Sequence, residues 1–143
     1  MARFYGEFEH SLDVKGRVIL PVRFRDALPG GGYLSKFDGG CLALWAPDEF
    51  EQQMEKLLEQ ADSSPEQRDL ARVRAAGTHE VEIDRQGRLP IPGRLREFAG
   101  LDGEVLILGA INRIELWPPV RWRQQLQEPF ERRLTEGAVG QQQ

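Results

Sequence analysis

The chain is poor in the residues that carry most enzymatic chemistry: its 143 residues include one cysteine and two histidines. A single thiol, Cys41, excludes an internal disulfide and leaves no second sulfur for a redox or metal pair. Its place in an apolar run marks it as a small buried strand residue. His10 and His79 are isolated, and no H-x-x-x-H, C-x-x-C or G-x-S-x-G spacing occurs. No catalytic residue, metal site, cofactor or small-molecule substrate is therefore expected. The glycine runs Gly30-Gly31-Gly32 and Gly39-Gly40 do not lead into a helix as a phosphate-binding loop would, and they read as turns. Long apolar runs are missing too. The longest, Cys41 to Ala46, cannot cross a bilayer, and the N-terminus has no signal-peptide core. These absences set the expectation of a cytoplasmic protein without a membrane partner. Lysine is scarce, with 3 against 16 arginines, and the net charge is −4. That balance argues against binding nucleic acid through bulk charge.

What is present is a duplication. Asp13-Val14-Lys15-Gly16-Arg17-Val18-Ile19-Leu20-Pro21-Val22-Arg23-Phe24-Arg25-Asp26 returns 71 residues later as Asp84-Arg85-Gln86-Gly87-Arg88-Leu89-Pro90-Ile91-Pro92-Gly93-Arg94-Leu95-Arg96-Glu97. The aspartate, glycine, arginine, proline, two further arginines and a closing acid recur in register. Charge follows the repeat: arginines and Lys15 gather on both copies, whereas Asp48, Glu49, Glu51, Glu55 and Glu59 crowd one later segment.

Taken in order, residues 5–12 and 16–20 flank an Asp-Gly turn and predict a hairpin. Pro21 ends it, and Phe24, Ala27 and Leu28 fit a short helix. Tyr33–Phe37 and Cys41–Trp45 predict a second hairpin. Pro47 opens a helix whose Phe50, Met54, Leu57 and Leu58 form one apolar stripe. Ser64-Pro65-Glu66-Gln67 has the capping-box form and starts a second helix, thin in apolar residues, that Gly77 closes. The pattern then repeats: a strand through Val81 and Ile83, the turn 84–87, a strand over 88–91, a hairpin of 104–108 with 113–117, and a helix from Pro118-Pro119 with Trp122 and Leu126. Pro129 is expected to break that helix, with Phe130 and Leu134 forming a further apolar turn, and 135–143 is expected to be a disordered tail.

Four short strands and a helix bury too little to fold alone. The expected architecture is therefore α+β and β-rich, with two fused halves packed as a pseudo-dimer around a small barrel or sandwich. The first repeat spans 7–54, a helical linker 55–77 and the second repeat 78–126.

The candidate site is the pair of turns. A turn needs the Asp and the Gly, but not a basic residue inside the loop as well as an arginine after it. Lys15 and Arg17 in the first loop, and Arg85 and Arg88 in the second, are thus candidate DNA contacts. Arginine is suited to reading guanine edges, and both residue types to binding phosphate. Asp13, Gly16, Asp84 and Gly87 are candidate loop-ordering residues. Arg23, Arg25, Arg94 and Arg96 are expected to form ion pairs with Asp26 and Glu97 or to make subunit contacts. Trp45, Trp117 and Trp122 are expected as core or interface anchors.

The two stretches carry a resemblance. His10-Ser11-Leu12-Asp13 through Gly16-Arg17, with Leu20-Pro21, Phe24-Arg25-Asp26 and Leu28, is similar to the first repeat of the bacterial MraZ family. Asp84 through Gly87-Arg88, with Ile91-Pro92, Leu95-Arg96 and Glu115-Leu116-Trp117, is similar to the second. The resemblance covers roughly residues 1–135. It implies two swapped-hairpin domains of the SpoVT/AbrB type, each with an Asp-x-x-x-Arg motif, here Asp13–Arg17 and Asp84–Arg88. It further implies a nucleoid-associated transcriptional regulator that assembles into rings. Such a regulator binds direct repeats of double-stranded DNA upstream of its own cell-division and cell-wall operon. Gln86 stands where the first loop has Lys15, and Pro90 where it has Ile19, so the first loop is expected to be the stronger contact and the second repeat's strand to lie at an edge. The rival expectations are an AbrB-like antitoxin, and a structural oligomer whose Asp–Arg turns hold subunits together.

Overall fold

The computed structural model describes residues 2–140 and holds eight strands and six α-helices. Strands β1 (Glu7–Ser11), β2 (Arg17–Ile19), β3 (Gly32–Lys36) and β4 (Leu42–Trp45) belong to the first half, with the one-turn helix α1 (Val22–Asp26). Helices α2 (Pro47–Ala61) and α3 (Pro65–Ala76) follow. The second half supplies β5 (Thr78–Val81), β6 (Arg88–Pro90), α4 (Gly93–Ala99), β7 (Glu104–Gly109) and β8 (Ile114–Trp117), then α5 (Pro119–Trp122) and α6 (Glu128–Gly140).

No barrel closes. The strands form an open antiparallel six-stranded sheet, in the order β1-β7-β8-β4-β3-β5, and a separate two-stranded ribbon of β2 and β6. The order reads the same from either edge once each strand is exchanged for its counterpart in the other half. The registers agree: β1 meets β7 with His10 opposite Val105, and β5 meets β3 with Val81 opposite Gly32. Two ladders map onto themselves, β2–β6 centred on Val18 opposite Leu89 and β4–β8 centred on Ala43 opposite Glu115.

The first expected hairpin is corrected by this pairing. Residues 13 and 17 do close a turn, Asp13 N donating to Arg17 O at 2.9 Å, but the strands on either side part company. Neither β1 with β2 nor β5 with β6 forms a ladder; β1 joins β7 of the other half, and β2 joins β6. The cause lies in burial. A three-residue ribbon gains little from its own ladder, while Val18, Leu20, Leu89 and Ile91 are all buried beneath it. Each such side chain contributes about 1.5–3 kcal/mol of apolar burial, more than the roughly 1–2 kcal/mol that fixing one backbone residue costs. The crossed pairing sends all four side chains into one core. Pro90 is tolerated because both strands of a two-stranded ribbon are edges.

That core lies between one face of the sheet and the ribbon with α1 and α4. It joins Leu34, Leu42, Leu44, Val105, Ile107, Ile114 and Leu116 to Phe24, Leu28, Leu95 and Phe4. The opposite face is covered in two places. Phe50 and Met54 of α2 pack on Ala43, Trp45 and Tyr33, and Trp122 and Leu126 pack on Trp117, Leu106, Leu108 and Cys41. The central strands β4 and β8 are therefore buried on both faces, which accounts for the unbroken apolar run at 41–46.

Both helix expectations beyond Pro47 need adjustment. Ser64 caps α3, its Oγ accepting from Gln67 N at 3.1 Å, but the α2 stripe is only partly engaged: Leu58 faces solvent, as do Leu70 and Val73 of α3. Pro129 does not break the last helix. Residues Arg123–Gln127 form a π-helical turn between α5 and α6. Because the proline at 129 has no N–H to give the carbonyl four residues back, a local widening at 125 absorbs the lost bond. Helical structure therefore runs through the first part of the expected tail, to Gly140; residues 141–143 lie outside the described residues. Among the described residues no helix is long and apolar enough to cross a membrane.

Candidate nucleic-acid interface

Each Asp-x-x-x-Arg loop is built around its aspartate. In the first, Asp13 Oδ1 accepts from the backbone N–H of Lys15 and of Arg17, both at 2.9 Å, and Oδ2 accepts from Arg17 Nε at 2.8 Å. In the second, Asp84 Oδ1 accepts from Gln86 and Arg88 N at 2.9 Å, and Oδ2 from Arg88 Nε at 2.6 Å. Gly16 and Gly87 close the turns by donating to Asp13 O and Asp84 O. Both glycines have positive φ, 75° and 82°, a region open at little cost only to glycine.

The electrostatics follow from those bonds. Both carboxyls are held below the usual aspartate pKa, chiefly by the backbone N–H of Arg17 and of Arg88, and further by each arginine's side chain. Every loop thus carries an ionised aspartate that fixes its arginine by Nε alone. The terminal nitrogens of Arg17 and Arg88 make no hydrogen bond within the described residues. Lys15 and Arg85 stand exposed at the tips, while Arg17 and Arg88 are half-buried.

The loops flank the ribbon, one at each end of a three-residue antiparallel pair, so about 10 Å separates them along the strands. They are tied across it: Ile91 N donates to Gly16 O at 3.0 Å and Leu20 N to Gly87 O at 2.9 Å. Arg17 and Arg88 line one shallow groove together with His79, Glu80, Glu82 and Asp84. All the basic and loop-ordering positions singled out by the sequence are therefore brought to one ribbon.

The arginines after the proline do something the sequence did not foretell. Arg23, Arg25, Arg94 and Arg96 form no ion pair with Asp26 or Glu97 among the described residues. Arg23 lies over the Phe8 ring, 5.4 Å from its centroid. Arg25 and Arg96 lie against the loop glycines of the opposite half: a Cβ added to Gly87 would overlap the Arg25 guanidinium, and one added to Gly16 would overlap that of Arg96. The signal was in the sequence, since each arginine recurs nine residues after its own loop glycine, but the neighbouring acid invited the simpler pairing. Trp45 and Trp117 are buried as expected, their indole N–H groups donating to Ser35 Oγ and Glu115 Oε1. Trp122 packs on Trp117, and its own N–H has no hydrogen-bond partner among the described residues. Arg113 pairs with the buried Glu115 at 2.8 Å above the rings of Phe37 and Trp45. Burial, followed by the charge of Glu115, pushes the Cys41 thiol up to about 12. His10 sits on β1 and His79 on β5, at opposite edges of the sheet.

Known proteins resemble this chain along most of its sequence. A family model described as "MraZ protein, putative antitoxin-like" matches residues 3–73 and again 75–139. A protein of a Nocardioides species named transcriptional regulator MraZ is 41% identical over 121 residues, covering 85% of this chain and 84% of its own. Its namesakes in Saccharopolyspora erythraea and Acetivibrio thermocellus are 42% identical over 125 residues and 41% over 119. They cover 87% of both chains in the first case and 83% of both in the second. A doubled match across the duplicated ribbon, together with relatives at this identity and coverage, makes the chain a member of the MraZ family.

Proposed function

We propose that the chain is a sequence-specific DNA-binding transcriptional regulator whose two Asp-x-x-x-Arg loops contact the duplex. The observation that carries this reading is the loop architecture. Each aspartate orders two backbone amides and clamps its arginine by Nε, and the outer nitrogens of the guanidinium stay open. A fork held in that way is pre-organised for paired acceptors, either a phosphate or the O6/N7 edge of guanine. Loops about 10 Å apart along the ribbon suit a major groove roughly 12 Å wide. The name borne by the relatives supports regulation of transcription; direct repeats upstream of the chain's own cell-division and cell-wall operon are the target that the resemblance of the two stretches implies.

In this reading the palindromic sheet order is that of two swapped-hairpin halves forming a pseudo-dimer, with 7–54 and 78–126 as the repeats. Homo-oligomeric rings multiply the loops. Leu58, Leu70 and Val73 on α2 and α3, exposed in a single chain, support such assembly. Repeated loops on repeated boxes raise the effective concentration of every later contact, so individually weak loops suffice. The protein has no catalytic role and works in the cytoplasm at the nucleoid.

The test is a gel-shift assay with DNA from upstream of the protein's own gene, run with Arg17→Ala and paired with size-exclusion chromatography and light scattering. Loss of the shift with the assembly intact is the expected result. A shift unchanged by Arg17→Ala would sink the assignment, and loss of assembly would instead favour the turns as subunit ties.

A further inference from the structure

We infer that Arg25 and Arg96 are positioning residues that brace the loops in trans, each repeat's arginine holding the opposite repeat's loop in its DNA-competent shape. Three observations meet at Gly16. The Arg96 guanidinium occupies the space in which a Cβ at Gly16 would lie. The same guanidinium donates through Nη1 to Ile91 O at 3.0 Å. The Ile91 N–H in turn donates to Gly16 O at 3.0 Å. Loop one is thus closed from below by a plate and from the side by a strand, and both belong to the second repeat. At loop two the counterpart is Arg25 over Gly87, with Leu20 N donating to Gly87 O at 2.9 Å. The bond from Arg25 back to the strand is missing among the described hydrogen bonds, so loop two is braced by packing and the ribbon alone.

This arrangement gives the loop glycines a second reason to exist. Positive φ alone would accept glycine, and asparagine at modest cost. Any side chain there must also push the bracing guanidinium aside, so it undoes the brace as well as straining the backbone. It also explains why neither arginine seeks the acid beside it: the flat guanidinium is used as packing surface at both loops, and at loop one as a hydrogen-bond donor too, which an ammonium cannot imitate. A further consequence is that neither repeat presents a complete loop alone, since each lacks the plate that the other supplies.

The inference rests on the loops being the DNA contacts for its functional consequence, but the bracing itself can be read without DNA. Cys41 is buried and its thiol is pushed up to about 12, so a cysteine placed at an exposed loop tip is the reactive one. Spin labels on Val14→Cys and, separately, Gln86→Cys report the mobility of loops one and two in the full-length protein. Arg96→Ala is expected to mobilise the label at 14 and leave that at 86 unchanged; Arg25→Ala is expected to do the reverse, with a smaller change. Thermal unfolding of the same variants checks the fold. Should an alanine variant fail to fold, Arg96→Gln and Arg25→Gln are read in its place. In unlabelled protein, Arg96→Ala is expected to weaken DNA binding about five- to tenfold, near the lower end for losing a base contact. Mobility that rises in both loops alike, in the arginine's own loop, or in neither overturns the bracing. Absence of DNA binding by the wild type would overturn the functional reading while leaving the label result to stand on its own.

Discussion

Loop one and loop two have the same internal bonds but differ in what surrounds them. Both carry one aspartate and two cations, so their formal charge is equal; the tip cation simply sits at 15 in one and at 85, one place earlier in the repeat, in the other. The difference is in support. Loop one has Arg96 hydrogen-bonded to Ile91 beneath it, whereas loop two has Arg25 without that bond. The Arg17 side chain is 25% exposed and that of Arg88 32%. The lesson is that two loops of equal charge need not be equal binders: the one whose geometry is fixed before contact loses less on binding. We attribute the stronger contact proposed for the first loop, read from Lys15 against Gln86, to its order rather than to its charge.

The largest way to sharpen that comparison is to remove each fork in turn. Arg17→Ala is expected to lower affinity for the upstream DNA about 10- to 100-fold, the range for losing a bidentate base contact, and Arg88→Ala about threefold to tenfold at most. Fluorescence anisotropy at fixed salt reads both, and equal losses would erase the distinction between the loops. Next come the glycines. Gly16→Ala places a side chain at φ 75° and into the Arg96 guanidinium. It should cost about 1–2 kcal/mol from the backbone alone, with more from the displaced arginine, seen as a lowered urea midpoint. Gly87→Ala should cost somewhat less, because Arg25 makes no side-chain hydrogen bond among the described residues that could be lost.

Acid should loosen both loops together. The folded pKa of Asp13 and of Asp84 lies below the unfolded value, so the stabilisation they provide is fully present above about 3.9, the unfolded aspartate pKa. It is lost as pH falls through the lower folded value. Carboxyl chemical shifts followed by NMR should therefore titrate below the ordinary aspartate range at both positions, and a normal value at either would remove the ordering role there. The smallest expected effect is from exchanging the tips: Val14→Arg with Lys15→Gln gives loop one the tip of loop two at unchanged charge. Affinity should move by no more than about threefold; a loss as large as that of Arg17→Ala would return the explanation to the lysine.

Much of this was legible because a duplication constrains two places at once. The turns, the buried Val18 and Leu89 faces, the prolines before α1 and α4, and the order of elements all follow from local chemistry that the chain writes twice. Strand partners were not legible. Nothing in Arg17–Ile19 says whether its ladder runs to the strand before it or to Arg88–Pro90, because the choice is made by where Leu20 and Ile91 become buried. The same limit hid Arg25 and Arg96: a local reading offered Asp26 and Glu97, one residue away, while the actual neighbours lie across the ribbon. Pro129 misled for a related reason, since a π-turn upstream can absorb a missing N–H that the residue type alone marks as a break.

The most direct test of the central claim is a salt titration of binding to the DNA upstream of the gene, using wild type and Arg17→Ala side by side. For the wild type, log affinity is expected to fall steeply and linearly with log salt, with a slope of roughly −0.9 for every phosphate neutralised. Arg17→Ala should bind more weakly at every salt concentration and lose its preference for that DNA over an unrelated duplex. Binding indifferent to salt, or preference and affinity that survive Arg17→Ala, would contradict it.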